Sequence, residues 1–272
     1  QAGFPFALKG GTSLSKGYGI IHRFSEDIDI RIEPPAQLDV MAGQNHHKPQ
    51  HRESRRQFYD WLAENIKIDG IAKVARDTEF DNEDYRSGGV RLYYPGAVPF
   101  AGGLKEGVLL EVGFDDVSPN TPLTISSWAL DFAQARGVAV VDNKAYDVRC
   151  YAPGYTLVEK LQTIATKFRQ QQATGQMPAN FIRHYYDLAC LLKNEAVQRF
   201  IGTPEYEQHK RHRFPAADRQ TPLCDQDAFK LKDPQIRGIF EKEYQKIAAL
   251  YYQGQPTFQE ILATIAKSLE RL

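Results

Sequence analysis

The segment Phe4 to Ile32, FPFALKGGTSLSKGYGIIHRFSEDIDIRI, decides the reading of the chain. It holds a strand-like run Phe6-Ala7-Leu8, the pair Gly10-Gly11, the pair Thr12-Ser13, and a second strand-like run with Asp27 and Asp29. Residues two apart on a strand share a face. Asp27 and Asp29 therefore project together, Ile28 and Ile30 turn the opposite way into a core, and Glu26 faces away from the carboxylate side. Two adjacent carboxylates repel each other and are most easily kept ionised by a cation between them. Oxygen ligands without His or Cys suit a hard ion such as Mg²⁺ or Mn²⁺. The Gly-Gly turn leaves backbone N–H groups open and lets a phosphate come close. Thr12 and Ser13 are placed to open a short helix, Thr12 to Tyr18, whose N-terminus favours anions. A phosphate cradle and a carboxylate pair in one segment imply nucleotide chemistry.

The composition fits that reading and narrows it. With 272 residues, the chain makes one large or two modest domains. A net charge of +0 gives no global basic field, so any RNA contact must use a local patch. Cys150, Cys190 and Cys224 are odd in number and form no CxxC pair, so they read as reduced thiols of a cytoplasmic protein. No apolar run reaches membrane-spanning length and no signal peptide is visible. The chain opens at Gln1, almost directly on a strand.

Beyond the first segment, 33–50 reads as a loop, and its His46-His47 pair with His51 as polar rather than metal-binding. Arg52 to Ile68 is an amphipathic helix with Phe58, Trp61, Leu62 and Ile66 inward; its Arg52, Arg55 and Arg56 read as a solvated basic face. Strands are expected at 71–80, 89–94 and 108–114. The last places Leu110, Val112 and Phe114 on one face and Leu109, Glu111 and Gly113 on the other. A lone Glu in an apolar strand is costly to bury without a partner. A polar loop and short helix fill 120–137, and 138–141 with 146–151 read as a closing strand pair. After Pro153-Gly154 the pattern is helical to the end, dividing the chain into 1–152 and 153–272. Helices are expected at 155–171, 179–192, 229–252 and 257–272, with a basic cluster at 205–214 whose Lys210, Arg211, His212 and Arg213 read either as RNA-backbone contacts or as a solvated loop. Lys9, Lys16, His22 and Arg23 surround the cradle; each reads first as a solvated surface charge and second as a phosphate contact.

Gly10-Gly11-Thr12-Ser13 followed by Asp27-Ile28-Asp29 resembles the first motif of the polymerase-β-type nucleotidyltransferases. With its flanks, LKGGTSLSKGYGIIHRFSEDIDI resembles the opening of the AbiEii/AbiGii toxin family, which includes the MenA-type toxins. The resemblance covers roughly 4–195. It implies an α/β (α+β) fold: a mixed sheet with flanking helices, then a helical C-terminal half, with the active site in the cleft between them. It implies a third carboxylate from a later strand, for which Glu111 is the candidate and Asp115 and Asp116 the alternates. It also implies a Lys and an Asp from later helices, which are Lys160 and Asp187, with Arg183 a further phosphate candidate. Where the family's common sequence is acidic, this chain has His184 or Tyr185.

The implied activity is metal-dependent transfer of NMP from an NTP, with Mg²⁺ or Mn²⁺ held by Asp27, Asp29 and Glu111. Gly10, Gly11, Thr12, Ser13 and Lys160 would hold the triphosphate. Relatives are toxins of toxin–antitoxin and phage-defence systems, so the implied partners are an antitoxin and a tRNA acceptor modified at its 3′ end to block translation. Transfer to a protein or small-molecule hydroxyl, and a non-catalytic nucleotide-binding regulator, stand as alternatives.

Overall fold

The computed structural model describes residues 4–25, 27–96 and 106–272. Glu26 lies outside the described residues. Chain contacts define two units: Gln1–Gly17 with Ser25–Tyr151, and Tyr18–Phe24 with Ala152–Leu272.

In the first unit, seven strands among the described residues form one mixed sheet. They are β1 (Phe6–Leu8), β2 (Asp27–Ile32), β3 (Lys73–Asp77), β4 (Ser87–Tyr93), β5 (Val108–Gly113), β6 (Asn120–Ile125) and β7 (Ala145–Tyr151). Their order is β3-β4-β5-β2-β1-β7-β6. The β2–β5 and β1–β7 pairs are parallel and the others antiparallel. A short helix α1 (Gly10–Thr12) continues as a π-turn over Ser13–Gly17, and α2 (Pro49–Asn65) follows β2.

The two sheet faces differ in chemistry, and alternation along each strand produces the difference. Ile30 on β2, Val112 on β5 and Val90 on β4 are buried on one face. Phe58 and Tyr59 of α2 cover it and pack on Phe114. Gly88 has no side chain because the Tyr59 ring takes its place: a Cβ there would lie 2.6 Å from the ring. The opposite face carries Asp27, Asp29 and Arg31 of β2 and Glu111 of β5, all half-buried.

Several sequence expectations change at this level. The strand that pairs with β7 is 120–125, not 138–141, which forms no ladder. That segment was expected to be a polar loop; it holds Pro122, and β6 lies at the sheet edge, where a missing N–H is tolerated. The first helix starts at Gly10 rather than Thr12. Arg55 is not part of a solvated face. It is fully buried and donates to the carbonyls of Met41 (2.6 Å), His46 (3.1 Å) and Asp84 (2.7 and 3.0 Å).

The second unit is helical: α4 (Pro153–Thr174), α5 (Arg183–Leu191), α6 (Glu195–Phe200), α7 (Pro204–Arg213), α8 (Asp227–Lys230), α9 (Pro234–Lys246) and α10 (Phe258–Ser268). Among the described residues, α3 (Trp128–Ala135) belongs to the first unit. Leu157, Leu161, Ile164, Tyr185, Leu188, Phe240, Phe258 and Ile265 form the core of the second unit. The expected basic loop at 205–214 is helical. Thr203 caps it by accepting from the Tyr206 N–H, and Pro204 sits in its first turn. Its Lys210 is not a solvated contact: the ammonium donates to the Leu272 carbonyl and lies 5.4 Å from the Tyr206 ring centre. Tyr18–Phe24 is bound into this unit by the Phe24 N–H bond to the Leu250 carbonyl (2.9 Å) and a bridge between Arg23 and Tyr251. No described helix is long and apolar enough to cross a membrane.

Candidate active site

The register of the sheet builds a cluster of three carboxylates. β2 and β5 run parallel with Asp29 opposite Glu111 and Asp27 opposite Leu109. Residues opposite each other on neighbouring strands share a face. Asp27, Asp29 and Glu111 therefore converge, with one oxygen from each within 4.8 Å of the others. They are the one group of three or more His, Cys, Asp or Glu side chains among the described residues that close. Asp115 and Asp116 are not in it, and His46, His47 and His51 form no such group.

Local chemistry sets the two aspartates. Ser25 Oγ donates to Asp27 Oδ1 at 2.7 Å, which orients that carboxylate. Thr12 Oγ1 donates to the Asp27 carbonyl at 2.7 Å and ties the α1 turn to the start of β2. The Lys9 N–H donates to the Asp29 carbonyl at 2.9 Å. Gly10 has a φ of +63°. A Cβ on it would lie 2.1 Å from Asp29 Oδ2. The Gly-Gly pair was expected to open space for a phosphate; Gly10 opens it for the Asp29 carboxylate. Gly11 is buried, and Ser13 is fully buried with its hydroxyl against the Cys150 thiol, so the Ser13 side chain faces the interior. The role of Ser25 was not read from the sequence, although its place two residues before Asp27 on an extended chain is the signal.

The donor set fits a hard divalent cation. Three carboxylates share one face, no His or Cys is among them, and the neighbouring glycine has given up its side chain to one of them. Three ionised groups within 4.8 Å repel by about 3–4 kcal/mol per pair at an effective dielectric of about 20. A dication removes that repulsion.

The second unit brings Lys160 and Asp187 together, with two partners that were not expected. Asp187 is fully buried and accepts twice from Arg23, at Nε and Nη2, each at 2.7 Å. Lys160 Nζ lies 3.0 Å from Asp187 Oδ2 and 3.2 Å from His184 Nδ1. Arg23 is 1% exposed, so it is a buried clamp on Asp187 rather than the solvated charge expected. Lys16 and His22 are also engaged inside their own units: Lys16 Nζ lies 3.5 Å from the Trp128 ring centre, and the His22 N–H donates to Tyr186 Oη at 3.1 Å. Burial pushes the Asp187 carboxyl up, but Arg23 and then Lys160 outweigh it and hold it well below the usual carboxylate range. Burial, then Lys160, pushes the His184 imidazole well below its ordinary value. A neutral His184 can accept at Nδ1 from the Lys160 ammonium, which only donates.

Comparison with known protein families agrees with this chemistry. A family model described as "Nucleotidyl transferase AbiEii toxin, Type IV TA system" matches residues 3–264. Among solved structures, MenT4, a nucleotidyltransferase toxin from Mycobacterium tuberculosis H37Rv, aligns over 97% of this chain and 81% of its own, with 15% identity and a TM-score of 0.47. No curated protein sequence matches the chain.

Two outcomes follow from the geometry. Gly19 has a φ of +62° with nothing within 4 Å of a Cβ, whereas Gly10 at +63° faces Asp29. In urea denaturation, Gly19→Ala should cost about 1–2 kcal/mol for the left-handed backbone alone, and Gly10→Ala distinctly more. Equal costs would mean that Asp29 does not occupy the space. The second outcome concerns pH. With the folded His184 pKa depressed, the unfolded chain takes up a proton below about pH 6.5 that the folded chain does not. Stability should therefore fall from pH 7 to pH 5 with a contribution of up to about 1.4 kcal/mol per pH unit. Asp187, also depressed, contributes a loss only below about pH 4. His184→Gln should flatten the pH 7 to 5 slope, and an unchanged slope would contradict the assignment.

Proposed function

Because the chain belongs to the AbiEii nucleotidyltransferase toxin family, we propose that it transfers a nucleoside monophosphate from an NTP to the 3′ end of tRNA and so blocks translation. The observation that carries the reading is the convergence of Asp27, Asp29 and Glu111 on one sheet face. Those three residues would hold Mg²⁺ or Mn²⁺, which neutralises triphosphate charge and lowers the pKa of an attacking hydroxyl. Phosphoryl-type transfer depends mainly on positioning and charge neutralisation, and the remaining residues supply these.

Gly10 and Gly11 offer backbone N–H groups to the β- and γ-phosphates, with Thr12 and Ser13 holding the turn in place. Ser25 fixes Asp27, and Gly10 lets Asp29 stand close to the turn. Glu111 takes the proton of the acceptor hydroxyl as its oxygen bonds to the α-phosphorus, and pyrophosphate leaves. In the second unit, Asp187 and His184 fix the place of the Lys160 ammonium, a compact charge suited to a triphosphate. The tRNA acceptor follows from the resemblance of the first segment to toxins that modify tRNA. A cognate antitoxin is the partner that membership of a toxin–antitoxin family implies.

The test supplies purified protein with Mg²⁺, each α-³²P-NTP in turn, and total bacterial tRNA, beside Asp29→Asn. Label should appear on tRNA with one NTP and fall by at least a hundredfold in the variant. Label on a protein band instead would overturn the tRNA acceptor, and equal labelling by Asp29→Asn would overturn the carboxylate site.

A further inference from the structure

The carboxylate-bearing face of the sheet does not end at Asp29. Arg31, the next residue on that face of β2, stands opposite Ala7 of β1, and Ala7 stands opposite Arg149 of β7. Two arginines thus flank one small side chain across three neighbouring strands. Together with Ser118, Asn120, Glu33 and Asp116 they line a cavity of about 250 Å³. Along β2, Arg31 lies about 7 Å from Asp29, two residues at the rise of a strand.

The polar groups of this cavity are only partly used within the protein. Arg31 Nη1 donates to the Glu33 carboxylate. The buried Nε–H of Arg31 meets no acceptor among the described residues. A buried donor of this kind is satisfied by an oxygen acceptor, which a water or a ligand can supply. The Arg31 guanidinium first, and the charge of Arg149 after it, hold the Glu33 carboxyl below its usual range. The Glu33 side chain is 47% exposed and that of Arg31 31%. An exposed pair of this kind contributes little and is readily exchanged for another anion. Asp116, the other acid, already accepts from the Ser118 N–H at 3.0 Å within its own turn. A phosphate offers two guanidinium groups more oxygen acceptors than one glutamate does, and forms the stronger charge-assisted bonds.

We propose that Arg31 and Arg149, with Ser118 and Asn120, form a phosphate-binding subsite on the sheet face that carries Asp27, Asp29 and Glu111, and that Glu33 occupies it as a placeholder anion until a substrate phosphate displaces it. Which phosphate arrives rests on the nucleotidyltransferase reading above: that of the nucleotide, or one of the acceptor's RNA backbone. Binding itself does not depend on that reading, because it needs neither a metal nor transfer.

The experiment measures two probes in EDTA: inorganic pyrophosphate by calorimetry, and a fluorescein-labelled single-stranded RNA by anisotropy over a range of salt. The Arg31→Gln/Arg149→Gln double variant should bind at least one probe tenfold or more weakly, and Glu33→Gln should bind the same probe several-fold more tightly. If that probe is the RNA, the slope of log affinity against log salt should also shrink by about 1–2 in the double variant. Loss confined to RNA assigns the subsite to the acceptor, and loss confined to pyrophosphate assigns it to the nucleotide. Wild-type affinity of the double variant for both probes, or no gain from Glu33→Gln, overturns the proposal. The Glu33→Gln gain keeps the test decisive if the double variant folds poorly. A protein that binds through Arg31 yet labels no acceptor overturns the transfer reading and leaves the subsite standing; labelling without Arg31-dependent binding overturns the subsite alone.

Discussion

Mutual repulsion among Asp27, Asp29 and Glu111 is the constraint on which the first unit depends. With oxygens inside 4.8 Å, like charges oppose this arrangement, and solvent screening of the half-buried groups tempers the repulsion. What holds them is the strand ladder: Asp29 faces Glu111 because β2 and β5 are paired in that register. A slip of one residue would turn Asp27 and Asp29 into the apolar side and Ile30 out of it. The buried isoleucines and valines of one face thus fix the carboxylates of the other. Ser25, Thr12 and Gly10 then trim the aspartates from the turn side.

The second unit solves the reverse problem. Its carboxylate, Asp187, is wholly buried and is surrounded by positive charge from Arg23 and Lys160. Breaking a buried pair leaves an uncompensated charge, which is far costlier than losing a surface pair. Arg23 sits in the segment Tyr18–Phe24, which belongs to this unit although it lies in sequence between α1 and β2. The segment is therefore anchored four residues before Asp27. His184 completes the arrangement by remaining neutral beside an ammonium, a state that burial enforces.

Much of this was legible in the sequence where a pattern maps directly onto geometry. The alternation of Asp27, Ile28, Asp29 and Ile30 gave the shared face, and the isolated Glu111 in an apolar run marked a carboxylate in want of a partner. Lys160 and Asp187 were legible only through family resemblance, because nothing in helical spacing joins residues on two different helices. Arg23 and Arg55 were misread, since an arginine looks the same in sequence whether it is solvated or buried against carbonyls and carboxylates. β6 was missed because its polar residues read as a loop, whereas an edge strand tolerates both polar side chains and a proline. The Arg31–Ala7–Arg149 row could not be read at all, because it needs the register of three strands far apart in the chain.

The most direct test of the central claim is thermal unfolding of the wild type and Glu111→Gln, each in EDTA and in Mn²⁺. If the triad is a repulsive cluster completed by a cation, removing one charge should raise the melting temperature in EDTA. Mn²⁺ should then stabilise the wild type, through binding to the folded state, and stabilise Glu111→Gln little. Equal melting temperatures in EDTA, with no response of either protein to Mn²⁺, would contradict the account.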